Sequence, residues 1–232
     1  MICNELFLEN VTKSIKNFSL NIPTLQLGNG DIFVLIGPNG AGKTTTINCI
    51  LNLYSIDHGK IIMKSGNREV DFQDYNFVLQ NEKPHEFLRA GEYLKLFADI
   101  YKIQDKETRI KKLMERLNLE KNKLINEFSA GMKKKMLLAK ALINQPNFLF
   151  LDEPLEGIEV ETRKEIKDIF YQQSQNGCTI FITSHNLFEI EKFANKFGFI
   201  KNGRFFKCEN IADLNISLED YYLKRMKDEE FN

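Results

Sequence analysis

The run Gly37-Pro38-Asn39-Gly40-Ala41-Gly42-Lys43-Thr44-Thr45 sets glycines, one lysine and a hydroxyl at GxxxxGK[ST] spacing, directly after the apolar stretch Ile32–Ile36. Glycines let successive backbone N–H groups curl around an anion, and a helix opening near Lys43 adds roughly half a positive charge at its N-terminus. In that setting the Lys43 ammonium suits the β- and γ-phosphates of a nucleotide, and the Thr44 hydroxyl suits Mg²⁺. A second run, Asn147 to Pro154, is an apolar strand closed by Asp152 and Glu153 at the carboxyl edge, where ligands bind in open α/β sheets. Asp152 is placed to hold Mg²⁺ through its water shell, and Glu153 to orient and partly deprotonate a water attacking the γ-phosphate. The bland alternatives are a glycine-rich turn with a chance lysine and a solvated strand end. Gly28-Asn29-Gly30 is a poor dinucleotide fingerprint, because it lacks the third glycine and precedes a strand.

These groups need a scaffold, and the apolar runs supply one. Leu6–Leu8, Phe18–Ile22, Ile32–Ile36, Lys60–Lys64, Asn76–Leu79, Phe148–Leu151, Cys178–Thr183, Phe197–Ile200 and Arg204–Lys207 read as strands. Helical patterns at Lys43–Leu53, Val160–Gln175 and Asn186–Asn195 follow strands, the alternation of a mostly parallel sheet with helices on its faces. From about Asn81 to Asn144 the period is helical, at Gly91–Tyr101, Lys106–Leu117 and Gly131–Ile143, which reads as an inserted helical subdomain. The expected division of a single domain over 1–232 is a nucleotide-binding core at 1–80 and 145–215, a helical subdomain at 81–144, and a C-terminal helix and tail at 216–232. The charged tail from Lys224 to Asn232 reads as a frayed solvated end.

The chain's 232 residues and 43% apolar content suffice for a buried core. Its 32 basic and 32 acidic side chains cancel, so no broad field draws it onto nucleic acid or anionic lipid. No apolar run approaches the roughly 20 residues that span a bilayer, and Met1 to Asn10 lacks the basic start and apolar stretch of a secretory signal. Cys3, Cys49, Cys178 and Cys208 are scattered without a CxxC pair, and read as reduced, mostly buried thiols.

Together the motifs resemble the ABC ATPase family, with Walker A at Gly37 to Thr45 and Walker B at Phe148 to Glu153 bracketing its other elements in order. The resemblance implies a P-loop NTPase α/β core with a mostly parallel sheet, an antiparallel β subdomain and an inserted α-helical subdomain. It makes Gln80 the Q-loop glutamine that contacts Mg²⁺. Phe128-Ser129-Ala130-Gly131-Met132 resembles the LSGGQ signature with three departures, and keeps the phosphate-facing Ser129 and Gly131 at a helix N-terminus. The following Lys133, Lys134 and Lys135 read as a solvated basic face. Leu155-Glu156-Gly157-Ile158-Glu159 stands where the D-loop usually reads Thr-Ser-Gly-Leu-Asp. His185 matches the H-loop histidine at the γ-phosphate. Ile15 stands where an aromatic commonly stacks on adenine; either Ile15 makes a weaker contact or Phe18 substitutes, which implies relaxed nucleotide selectivity.

The resemblance further implies ATP and Mg²⁺ as ligands, a head-to-tail dimer in which the signature of a second ATPase chain covers the bound γ-phosphate, and a separate transmembrane permease. The chain is then cytoplasmic, held at the inner face of the cell membrane through that permease. The segment from Gln80 to Phe97 stands where the family docks its membrane subunits, with Phe87, Leu88, Tyr93 and Phe97 as contact candidates. Met132-Lys133 resembles the exporter-type subgroup. The alternatives are a soluble ABC ATPase not coupled to transport, for example of the iron–sulfur assembly type, a nucleotide kinase, and a chain that only binds nucleotide.

Overall fold

The computed structural model of the protein describes residues 3–227. In chain order these form β1 (Asn4–Ile15), β2 (Phe18–Gly28), β3 (Ile32–Ile36), α1 (Lys43–Ile50), β4 (His58–Ser65), β5 (Arg68–Glu69), β6 (Tyr75–Val78), α2 (Ala90–Ile100), α3 (Lys106–Arg116), α4 (Ala130–Leu142), β7 (Phe148–Asp152), α5 (Val160–Gln175), β8 (Thr179–Ser184), α6 (Leu187–Ile190), β9 (Lys196–Lys201), β10 (Arg204–Asn210) and α7 (Leu218–Lys227). The strands join one ten-stranded mixed sheet in the order β5-β4-β1-β2-β10-β9-β3-β8-β7-β6.

Its parallel half runs from β9 through β3, β8 and β7 to β6. Every residue of β3 and β7 is buried, the pattern of strands covered on both faces. Successive side chains alternate between the two covers. Ile32, Val34 and Ile36 pack with helices α2 to α5, while Phe33 and Leu35 pack with α1 and the β1–β2 hairpin. Each such side chain contributes about 1.5–3 kcal/mol on burial. Beneath the phosphate loop Phe33 and Phe150 both pack on Phe181, at centroid separations of 5.0 and 6.2 Å.

The other half is antiparallel, with β1 between β2 and β4. It meets the parallel half at one residue pair, Arg204 on Asn21, backed by the Asn21 N–H donating to the Gly203 carbonyl at 2.7 Å. A Cβ at Gly203 would lie 1.8 Å from the Ser19 carbonyl oxygen, so only glycine permits this approach.

Helices α2, α3 and α4 follow β6 and pack on one another through Leu94, Ala98, Ile110, Met114 and Leu137. α2 starts where the Glu92 carboxylate accepts the Arg89 N–H at 2.9 Å, and α4 starts at Ser129, whose hydroxyl accepts the Met132 N–H at 3.3 Å.

Some elements differ from their sequence patterns. The helix expected over Asn186–Asn195 is confined to α6, because Asn195 is recruited by the sheet: its carbonyl accepts from Ile211 and its side chain accepts from Ile32. The helix expected to reach Leu53 ends at Ile50, with Asn52 in the left-handed region at φ 56°. β1 extends past Leu8 through an irregularity at Asn10, and the two-residue β5 carries no pattern of its own. Cys49 and Cys178 are buried, but Cys3 is exposed and Cys208 only partly covered, so the thiols are not mostly buried. Among the described residues no helix is long and apolar enough to cross a membrane. The last five residues of the expected charged tail, 228–232, lie outside the described residues.

Candidate functional site

β3 delivers the chain to Gly37 at the carboxyl edge of the sheet. A Cβ there would fall 2.2 Å from the Ile200 carbonyl oxygen, so the loop can start this close to β9 only on a glycine. Gly40 and Gly42 then take φ values of 77° and 114°, which bend Pro38 to Gly42 back over the start of α1. That helix has no side-chain cap and no acid in its first turn. Its N–H groups and dipole therefore face the loop uncompensated by a side chain, which is the condition for binding an anion.

Lys43 is buried at the mouth of this loop. Its ammonium donates to the carbonyls of Gly37 and Pro38 at 2.8 and 3.3 Å and lies 3.1 Å from Glu153 Oε1. The other oxygen of Glu153 is 3.1 Å from His185 Nδ1. Glu153 is only 4% exposed and adopts φ 51°, an uncommon backbone state for a non-glycine residue, which turns its side chain out of β7 into the cleft. Asp152, the last residue of β7, accepts from the Thr44 hydroxyl at 2.7 Å and from the Thr183 hydroxyl. Thr183 also accepts the Glu153 N–H at 2.9 Å, so a single hydroxyl on β8 aligns both acids.

The loop bounds a cleft of about 260 Å³ lined by Phe18, Asn39 to Thr45, Gln80 and Glu153. A larger groove of about 1240 Å³, lined by residues such as Pro23, Lys196, Phe205 and Tyr221, shares none of these residues. Lys43, Thr44, Gln80 and Glu153 come together at this cleft, with Asp152 joined through Thr44 and His185 through Glu153. Ser129 and Gly131 do not line the cleft; Gly131 instead faces Thr162 and Ile158, at the start of α5. Ile15 does not line it either. The β1–β2 hairpin sets Ile15 across from Phe18, and Phe18 is the ring that reaches the loop, close against Gly42.

Two corrections concern flanking residues. Lys133 to Lys135 are no solvated basic face: Lys133 pairs with Glu86 at 2.6 Å, Lys135 is buried against Glu165, and burial lowers the pKa of Lys134 against the attraction of Glu156 and Asp152. Tyr93 is 2% exposed and belongs to the core, where burial raises its phenol pKa, so it offers no contact surface. The Gln80 amide nitrogen donates to Glu156 Oε2 at 3.0 Å, a partner that no motif indicates. Thr183 also escapes motif reading, although its register opposite Asp152 on the neighbouring strand marks it once the sheet order is known.

The residues fit a nucleotide with a divalent cation. Glu153 Oε1 is buried and receives no directed hydrogen bond, only the Coulomb attraction of Lys43. Thr44, Asp152 and Gln80 supply the hard oxygen donors that Mg²⁺ prefers.

Comparison with known proteins gives the same assignment. The family described as ABC transporter matches residues 20–156. The chain is 31% identical to the lantibiotic transport ATP-binding protein SrtF of Streptococcus pyogenes, over 94% of this chain and 95% of that one. It is 28% identical to the ABC transporter ATP-binding protein YhcH of Bacillus subtilis, over 94% of this chain and 73% of the other. It spans between 60% and 73% of the length of that and other curated relatives. Among solved structures, the ATP-binding subunit of an ABC transporter superposes with a TM-score of 0.84 at 26% identity, over 96% of this chain and 99% of that one. With the phosphate loop, the paired acids and the histidine linked by contacts at one edge of this sheet, the chain belongs to the ABC transporter family and is one of its ATP-binding, ATP-hydrolysing subunits.

Proposed function

We propose that the cleft around Lys43 binds ATP with Mg²⁺, that two ATPase chains close head to tail on the nucleotide, and that the assembly drives a separate membrane permease for export. The observation that carries this reading is Glu153, buried at the end of β7 and held between Lys43 and His185 at 3.1 Å each. Backbone N–H groups of Gly37 to Thr45 surround the phosphates, and Phe18 rather than Ile15 lies under the base. Thr44, Asp152 and the Gln80 amide oxygen would hold Mg²⁺, which would supply positive charge for phosphoryl transfer.

An entering γ-phosphate competes with Glu153 for the Lys43 ammonium. Once released, Glu153 Oε1 accepts a proton from the attacking water as the new P–O bond forms. The bond from the γ-phosphorus to the β–γ bridging oxygen breaks, and ADP and phosphate leave. His185 keeps Glu153 in place and reaches the γ-phosphate from the end of β8.

Ser129 and Gly131 stand at the N-terminus of α4, outside the cleft of their own chain. That separation favours a site completed by a second chain. Phe87 is 91% exposed, a large apolar ring that suits a permease, with Leu88 half-buried behind it. The same reading takes 1–80 and 145–215 as the nucleotide-binding core, 81–144 as the helical subdomain and 216–232 as a C-terminal appendage. It attaches the chain to the inner face of the membrane through the permease. Export rests on the Met132-Lys133 wording and on the likeness to SrtF, a protein named for lantibiotic transport.

Glu153→Gln tests the dimer and the base together. In ATP and Mg²⁺ we expect light scattering to show a dimer retaining ATP, with phosphate release about 100-fold or more below wild type. A variant that stays monomeric under those conditions overturns the head-to-tail model.

A further inference from the structure

We propose that Glu156, in the loop between β7 and α5, is a positioning residue that holds Gln80 with its amide oxygen left for the cation. The proposal deepens the nucleotide reading above and rests on it.

A carboxylate only accepts hydrogen bonds, so the group facing Glu156 Oε2 at 3.0 Å must be the Gln80 amide nitrogen. Glutamine otherwise presents oxygen or nitrogen by a half-turn of its terminal torsion, and only the oxygen can ligate Mg²⁺. Glu156 selects between the two. Its own placement is set by the catalytic strand: the Glu156 N–H donates to the Glu153 carbonyl at 3.3 Å, and Gly157 follows at φ 70°. The acid that orients Gln80 thus sits one tight turn from the acid that activates water. Lys134 adds a Coulomb attraction, since Glu156 is the foremost of the carboxylates that favour its charge against burial. The hydrogen bond therefore joins two separate segments, the stretch after β6 and the turn after β7. Glu156 is exposed, so its hydrogen bond adds little to fold stability and its effect should be read in metal binding.

The test is titration of the full-length chain with a fluorescent, non-hydrolysable ATP analogue, first in EDTA and then across Mg²⁺ concentrations. Glu156→Ala should raise the Mg²⁺ needed for half-maximal tightening by about tenfold, while affinity in EDTA stays within about twofold. Gln80→Ala should give a similar rise, and the double variant no more than either single, since both remove one linkage. Glu156→Gln offers a donor as well as an acceptor at the same reach, no longer selects one Gln80 rotamer, and should lose most of the wild-type response. An unchanged Mg²⁺ requirement in Glu156→Ala, multiplied effects in the double variant, or an equal loss in EDTA each overturn the proposal while leaving the nucleotide site intact. A wild-type chain that fails to bind the analogue removes the nucleotide reading first, and this proposal with it.

Discussion

Lys43 is held by two loop carbonyls and the Glu153 carboxylate, and the carboxylate must let go before a phosphate can be gripped. The loop is therefore self-neutralised: a buried ammonium and a buried carboxylate compensate one another, as two buried charges must. The base has a simpler contact. Lys16, at φ 51°, turns the β1–β2 hairpin so that Phe18 lies across from Ile15 and against Gly42. Removing this ring should weaken nucleotide binding by about 1–2 kcal/mol, roughly five- to thirtyfold, on the scale of base–aromatic stacking. Equilibrium titration of Phe18→Ala against Ile15→Ala checks it; a larger loss in Ile15→Ala would return the stacking role to Ile15. At this scale the sequence was most informative where chemistry is local. Gly37 to Thr45 carry their conformation in their own glycines, and Asp152-Glu153 carry theirs in the strand end. Thr183 and the Gln80–Glu156 pair were illegible because strand register and the path of a loop bring them to the site from 30 to 76 residues away.

Elements are tied to the site by buried polar side chains. Lys140 of α4 pairs with Glu82 and donates to the Phe77 carbonyl, so the helix that opens with Ser129 is fastened to the segment carrying Gln80. Asp74, just before β6, takes both guanidinium nitrogens of Arg68 from β5, and its carbonyl accepts from Asn147 and Phe148 at the start of β7. Burial opposes the charge on Asp74, but the Arg68 bonds, the Asp71 N–H and Asn147 outweigh it and hold its pKa below the usual carboxylate range. A depressed folded pKa contributes stability above the unfolded value of about 4, and that contribution is lost as pH falls through the folded value. Asp74→Asn should therefore cost about 1–3 kcal/mol at pH 7, by urea unfolding, with the gap to wild type narrowing below about pH 4. A gap that widens in acid would contradict this account.

For the whole molecule, the alternation of strand and helix was legible because β3, Phe148–Leu151 of β7 and Ile180–Ile182 of β8 are buried apolar runs of the kind found in doubly covered sheets. The shortness of α6 was not, since Asn195 acts through a distant partner, Ile32, nor was the two-residue β5, which is too short to carry a period. Nor does periodicity show how the halves of the sheet join. They meet at Arg204 and Asn21, beside the glycine at 203 whose Cβ would strike the hairpin strand. A ladder of one residue pair resists local opening far less than the five-rung ladder between β3 and β8. In deuterium the amides of Val34, Leu35, Ile180 and Ile182 should exchange only on global unfolding, and the Asn21 amide by a cheaper, local opening. Phe18 lies three residues from that amide, so the ring proposed to lie beneath the base belongs to the lobe that opens first. Bound nucleotide should accordingly slow exchange at Asn21 more than in the central strands, and the seam becomes a place where occupancy of the cleft is felt as slower protein breathing.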